Sequence, residues 1–446
     1  MSAKQGMTAP LKVREYRFLF VGQLISNLGD WLDFLALMVL IAYEWNYGSG
    51  ALAALAVIIA LPWILVAPFA GVFADRWPKR TVMVICDVMR AVIVTGLIFA
   101  PNLGILLVLV GLKTVFSTFF LPSQEAAIRM TVPEDLLHAA NSLSHFVTQA
   151  TKVLGPALGG VLVGLFTPRT AFAADAVTFL VSAVVLSQMK PIGADTEDDE
   201  EDDEQLGYWQ ELREGLVHIS KSRALITAIV SMTAAVFLLI SFDTLSPLAL
   251  EGLGASRAEF GLAVAAVGFG GVLGAIFVGR YCSEVNPFIL MGVAKIMIGA
   301  LIALMGFALL AETSAPALLW APVLFVIGVA SAGVLIGAPT VVQRETPPEL
   351  MGRVSTSSQA IPTVFQVAAP LVGAGVAEWQ SVGFVYAVAG SSLAVLGVIV
   401  VLIRPAVGAA MHDDDDSADD ESEQHPPTDA LDLLNVTEAV IAPGEP

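Results

Sequence analysis

Long apolar runs separated by short polar turns set the pattern of this chain. Twelve runs reach the roughly 20 apolar residues that a spanning helix needs. They cover about 18–43, 49–74, 81–100, 104–123, 138–165, 169–190, 224–248, 259–280, 288–311, 317–338, 355–377 and 381–404. Almost every position in them is apolar, so length rather than periodicity decides the assignment. Helix satisfies every backbone group within one segment in lipid, so each run is predicted to be a spanning helix. The polar stretch 191–223 divides them six and six. In its second part Trp209, Leu212, Leu216 and Ile219 share one helical face, while Glu211, Arg213, Glu214 and Lys221 lie off it. That pattern predicts an interfacial helix lying on a leaflet.

Composition agrees. The 446 residues are 56% hydrophobic and 14% charged, with a mean hydropathy of +0.77. These values exclude an ordinary soluble domain. The net charge of −19 is localised: nine acids fall within 195–204 and twelve within 412–446, leaving 20 acids against 22 bases elsewhere. Both acidic stretches are expected to be solvated and disordered rather than a surface for a cationic partner. Cys86 and Cys282 have no metal or redox spacing, and no disulfide is expected. The first run, starting near Phe18, is too long for a signal-peptide core, so no cleaved leader is expected.

Basic residues orient the chain. Sixteen, from Lys4 through Arg76, Lys79 and Arg80 to Arg404, fall on one side, and only Arg169 and Arg257 fall on the other. The positive-inside rule then puts both termini in the cytoplasm. The chain also repeats: Pro133-Glu134 and Pro348-Glu349 precede the fifth and eleventh runs, and Pro156-Ala-Leu-Gly159 and Pro370-Leu-Val-Gly373 lie inside them. Two landmarks at one offset imply two equivalent halves. The expected division is a cytoplasmic segment 1–17, a six-helix bundle 18–190, an acidic linker with an interfacial helix 191–223, a second bundle 224–404 and an acidic tail 405–446. Such repeats about an axis along the membrane normal form a transporter design, with the site near mid-membrane between the halves.

Three groups of residues carry candidate chemistry. Gly71-Val-Phe-Ala-Asp75-Arg76-Trp-Pro-Lys79-Arg80 packs a glycine, an acid and three bases into a turn between the second and third runs. Gly71 permits close approach, Asp75 suits a helix N-terminus, and Arg76, Lys79 and Arg80 suit lipid phosphates and an inner gate. The simpler alternative is a set of positive-inside anchors. Gly155-Pro156-Ala-Leu-Gly159-Gly160 lies in the fifth run, where proline removes a helix bond and the glycines offer a flat packing face. Ionisable groups within the membrane are functional candidates by default. Asp30 is the best proton carrier, with Asp33 on nearly the same face, and Arg90 or Lys152 are expected beside it. Asp87 and Arg90 are spaced to pair on one helix. Asp175 and Asp243 are expected nearer the outer side and Lys295 nearer the inner side. For each, a structural buried ion pair is the plainer alternative.

Other patterns carry less. Gly268-Phe-Gly270-Gly271 imitates a dinucleotide loop but lies in a membrane run, where helix packing explains it. His138 and His145 have no metal-ligand spacing. There is no phosphate loop and no nucleophile elbow, so neither an enzyme nor ATP-driven transport is expected.

The Gly71–Arg80 stretch resembles the signature loop between helices 2 and 3 of the major facilitator superfamily, and Gly155–Gly160 resembles its antiporter motif. Further stretches, Arg17 to Trp31, Pro122 to Ala127, Phe172 to Ala183 and Gln343 to Arg353, resemble its macrolide-efflux and enterobactin-exporter-like proton-antiporter branch. Three positions depart from the pattern. Thr151 stands where the antiporter motif often starts with glycine. Pro78 replaces a usual glycine, and Val110 stands where many antiporters carry a helix 4 arginine, leaving Lys113 as the nearest base. The resemblance implies an all-α polytopic membrane protein with twelve helices in two pseudo-symmetric bundles. It implies proton-coupled efflux of amphipathic small molecules across a prokaryotic plasma membrane. No cofactor is expected beyond the proton gradient. Partners would be lipids, substrate and protons, not nucleic acid, and a monomer would suffice. A lysophospholipid translocator or importer on the same fold, or a non-transporting sensor, are the alternatives.

Overall fold

The computed structural model describes residues 8–67, 69–70, 76–191, 208–282, 284–313, 319–347 and 350–405. Gly71 and Asp75 of the charged loop, Pro348 and Glu349 of the repeat, the acidic stretch 195–204 and the tail from 406 lie outside them. The first half holds α1 (Arg14–Val39, continued by a π turn over Leu40–Glu44), α2 (Ser49–Leu65) and α3 (Lys79–Ile98). It is completed by α4 (Leu103–Thr131), α5 (Glu134–Leu165) and α6 (Pro168–Ser187). The linker helix is α7 (Tyr208–Lys221). The second half holds α8 (Arg223–Asp243), the short α9 (Ser246–Gly252), α10 (Arg257–Tyr281) and α11 (Pro287–Leu310). It ends with α12 (Trp320–Glu345), α13 (Met351–Trp379) and α14 (Val382–Ile403). Among the described residues ten helices are long and apolar enough to cross a membrane. The shorter apolar α2 and the 29-residue α13 complete twelve.

Local chemistry explains where the helices start. Asn102, Thr167, Ser222, Ser256, Asn286 and Ser381 each accept a backbone N–H of the first turn, satisfying donors that have no intrahelical partner. Ser256 and Glu259 cap α10 reciprocally, as a capping box does. The structure departs from the hydropathy reading in four places. The second helix is continuous only to Leu65. The seventh run breaks after Asp243, and α9 restarts with Pro247 in its first turn, a position where proline's missing N–H costs nothing. Helices α4 and α12 run on to Thr131 and Glu345, because polar residues end an apolar run without ending a helix.

The halves use the same contacts. A side chain at Gly159 of α5 would lie 3.1 Å from the Trp31 carbonyl of α1, and one at Gly373 of α13 would collide with the Ser241 carbonyl of α8. The sequence repeat is therefore also a packing repeat. Between the halves α5 packs on α10 and α2 on α13. A side chain at Gly160 would come within 2.7 Å of the Ala265 nitrogen, and one at Gly164 within 3.0 Å of the Ala258 carbonyl. Ser49 Oγ donates to the Ala374 carbonyl at 3.5 Å, and Arg257 Nη1 meets Glu44 Oε1 at 2.9 Å. These contacts run from mid-depth to the end of the molecule remote from Arg14 and Ile403. Gly268, Gly270 and Gly274 seat α10 against Ala157, Phe325 and Val329, so the glycine-rich stretch is a packing surface.

The linker helix divides its apolar residues between protein and surroundings. Its seated side is Gly215 and Ile219, while Leu216 and Val217 are 39% and 45% exposed. Gly215 decides this, since a side chain there would come within 2.5 Å of the Arg353 carbonyl. The side chains of Trp209 and Leu212 lie outside the described residues.

Candidate functional site

Four helices of the first half converge on one buried group of charges. Asp30 and Asp33 come from α1, Asp87 and Arg90 from α3, Lys113 from α4 and Asp175 from α6. Lys113 Nζ lies 2.7 Å from Asp30 Oδ1 and 2.7 Å from Asp33 Oδ2, with Asp175 Oδ2 at 3.9 Å. Arg90 pairs with Asp87 three residues earlier and lies 4.0 Å from Asp30. Its guanidinium sits between the rings of Phe120 and Phe179, at 4.4 and 4.5 Å. Cation–π contact of this kind strengthens when water is excluded. The Phe179 ring also lies 5.3 Å from Lys113 Nζ. Four carboxylates thus face two bases.

The backbone permits this gathering. A side chain at Gly29 would strike Thr178 and Asp175, and one at Gly22 would lie 3.2 Å from Ser182 and Leu186. Glycine at these positions lets α6 approach α1 closely enough for Asp175 to reach the cluster. Asp30 is the exposed member, with 38% of its side chain accessible, against 3% for Asp33 and none for Asp175. It opens on a cavity of about 320 Å³ between α1, α2 and α4. Trp31, Phe34 and Trp63 give that cavity aromatic walls, and Asp30, Lys113 and Thr114 give it polar ones.

Asp30, Asp33, Arg90 and Lys113 therefore come together, and Lys152 does not. Lys152 is exposed and has no ion pair among the described residues. Asp175, in the half of α6 nearer Pro168, joins the same layer as Lys113. Its signal was available: an acid within Phe172–Ala183 had no base beside it in that stretch. Val110 lines the cavity, and Lys113, one turn on, supplies the base of α4. In the charged loop Arg76 is exposed, Lys79 is fully buried and Arg80 donates to the Ser187 carbonyl at the end of α6. Lys79 is thus not a free anchor for lipid.

The Gly155–Gly160 motif has two faces. A side chain at Gly155 would run into the Trp31 ring and at Gly159 into Leu35, while Gly160 meets α10 of the other half. The helix carrying Asp30 and Asp33 is therefore one packing layer from the contact between halves.

The sequence model of the Major Facilitator Superfamily matches residues 19–361. The chain belongs to the major facilitator superfamily. The uncharacterized MFS-type transporter YfiS of Bacillus subtilis (strain 168) is 28% identical over 395 residues, 86% of this chain and 92% of that protein. The putative bacilysin exporter BacE of the same strain is 27% identical over 274 residues, 59% of this chain and 66% of that protein. The multi-drug resistance efflux pump PmrA homolog of Lactococcus lactis subsp. lactis (strain IL1403) is 25% identical over 344 residues, covering 74% and 79%. Solved structures share the fold. The nucleoside transporter NupG matches with a TM-score of 0.65 at 14% identity, over 87% of this chain and 99% of that one. An inward-facing bacterial homologue of the iron transporter ferroportin matches at 0.59 and 16%, over 87% and 98%. This superfamily member is a multi-pass membrane transporter.

Proposed function

We propose that this transporter exports amphipathic small molecules in exchange for protons across a bacterial plasma membrane. The observation that carries the proposal is Lys113 held between Asp30 and Asp33 on the wall of a cavity with aromatic sides. Asp30 is the carboxylate a proton can reach from the cavity. With four acids to two bases, the cluster can take up a proton at Asp30 and leave both bases paired. That proton removes one of the two close partners of Lys113 and loosens α4 from α1. A cationic or neutral amphipathic substrate suits the same wall, since Trp31, Phe34 and Trp63 supply apolar contact beside an acid.

Both termini lie in the cytoplasm on the charge bias. The halves then meet on the outer side, through Gly160 on α10 and Arg257 on Glu44, and the arrangement is inward-facing. Alternating access by rocking of the halves would break these contacts. The Gly155–Gly160 face transmits that motion to α1, and the Gly71–Arg80 loop latches the inner gate. Relatives named as a bacilysin exporter and a multidrug efflux pump favour the export direction.

The test is efflux from proteoliposomes under an imposed pH gradient with a broad panel of cationic and neutral drugs. Asp30→Asn is expected to remove the pH-driven component while leaving substrate binding in place. Full pH-driven efflux by that variant would sink the proton role of Asp30. A panel in which no compound moves outward would sink drug export and favour the lysophospholipid or import alternative.

A further inference from the structure

A second pocket lies outside the transport path, where the linker helix meets the start of α13. It encloses about 320 Å³ and is lined by Arg213, Glu214, Val217, His218, Lys221 and Leu350. Arg213, Val217 and Lys221 recur every four residues, so they form one stripe along α7. The helix cannot roll away from this position. Gly215 is pressed against the Arg353 backbone, Ile219 is buried, and Ser222 caps α8 directly after the helix ends.

The pocket has donors without acceptors. Its one acid, Glu214, is committed to Arg353. Arg213 and Lys221 have no ion-pair partner among the described residues, and His218 Nε2 is buried without a hydrogen-bond partner. Two exposed cations on one stripe of a seated helix and an unpartnered imidazole nitrogen suit a phosphate, which offers several acceptor oxygens to one site. Beside the cations, Leu216 and Val217 are exposed on a helix that ends one residue before a spanning helix begins. Apolar side chains next to a phosphate pocket at the membrane boundary suit an acyl chain.

We propose that Arg213, His218 and Lys221 hold the phosphate of an anionic phospholipid from the leaflet on the side of the termini. The lipid pins α7 to α13 and so ties the linker to the second half. This assignment does not depend on what the transporter carries or in which direction.

Native mass spectrometry of the full-length protein tests it, with phosphatidylglycerol, phosphatidylcholine and inorganic phosphate as probes. The wild type is expected to retain one phosphatidylglycerol in preference to phosphatidylcholine. Each basic side chain near an anionic leaflet contributes about 1 kcal/mol, so Arg213→Gln with Lys221→Gln should weaken retention on the order of 30-fold. Arg213→Lys with Lys221→Arg should keep most of it, and a thermal melt of each variant separates lost binding from lost folding. Lys12→Gln with Arg14→Gln, which removes two charges elsewhere at the same boundary, should leave retention unchanged. The proposal is overturned if that control pair loses as much lipid, if phosphatidylcholine binds equally well, or if millimolar inorganic phosphate displaces the lipid completely. The last result would assign the pocket to a free phosphate.

Discussion

The two halves share a helix plan but are held together differently. In the first half, six ionisable side chains meet in one layer, and glycines at 22 and 29 bring α6 close enough to join them. In the second half the corresponding interior holds Lys295, 1% exposed, which donates to the Ser231 hydroxyl at 3.0 Å. There α11 and α14 close on a seam of small residues. A side chain at Gly292 would lie 2.9 Å from the Gly397 carbonyl, and one at Gly299 lies 2.5 Å from that of Gly390. Lipid offers helices no hydrophobic drive to associate, so contact must come from charge, hydrogen bonds or close backbone packing. The first half spends its interior on charge and the second on close packing. A half held by a layer of charges is thus set against one held by close backbone contact.

The strongest way to break this comparison is to remove one lysine from each half. Lys113→Met should strand Asp30, Asp33 and Asp175 beside one another and cost about 3–5 kcal/mol, seen as a large fall in melting temperature in detergent. Lys295→Met replaces a cation with an apolar chain of similar length. Ser231 keeps its own bond to the Ala228 carbonyl, so the loss should stay below about 1 kcal/mol. Equal losses would mean that the two interiors are energetically alike.

A smaller effect separates the two kinds of glycine contact. Gly299→Ala drives a methyl into the backbone of α14 and should cost about 1–3 kcal/mol. At Gly159 the nearest atom is Leu35 Cδ1, at 2.7 Å, the end of a flexible side chain that can turn aside. Gly159→Ala should therefore cost clearly less in the same melt, and the reverse order would refute the rigid seam. The smallest effect is expected at the junction of the halves. Arg257 and Glu44 are 36% and 31% exposed, so Arg257→Gln should change stability by no more than about 1 kcal/mol. A fall larger than that of Gly299→Ala would transfer the hold between the halves from Gly160 and Gly164 to the ion pair.

Much of the fold was legible because it depends on the chain locally. Apolar length predicts a spanning helix wherever lipid forbids unpaired backbone. The pair Asp87–Arg90 was legible for the same reason, since three residues on one helix fix their distance. The site was less legible. Asp30 and Asp33 were visible as acids in an apolar run, but nothing near them in the chain indicates that their partner is Lys113, 80 residues beyond Asp33, rather than Lys152. Hydropathy marks Leu216 and Ile219 as one apolar face without saying what covers each: Ile219 is buried against protein and Leu216 is left exposed.

The sequence by itself determined the number of spanning segments, the two-fold plan and the types of residue that would need an explanation inside a membrane. Each of these follows from local rules: hydropathy over one segment, spacing along one helix, or recurrence of a motif. Tertiary structure alone decided which charges share a layer. That choice depends on how closely helices distant in sequence can approach, and glycines such as Gly29 set the approach by what they leave out. A missing side chain has no chemistry of its own until another helix occupies its space.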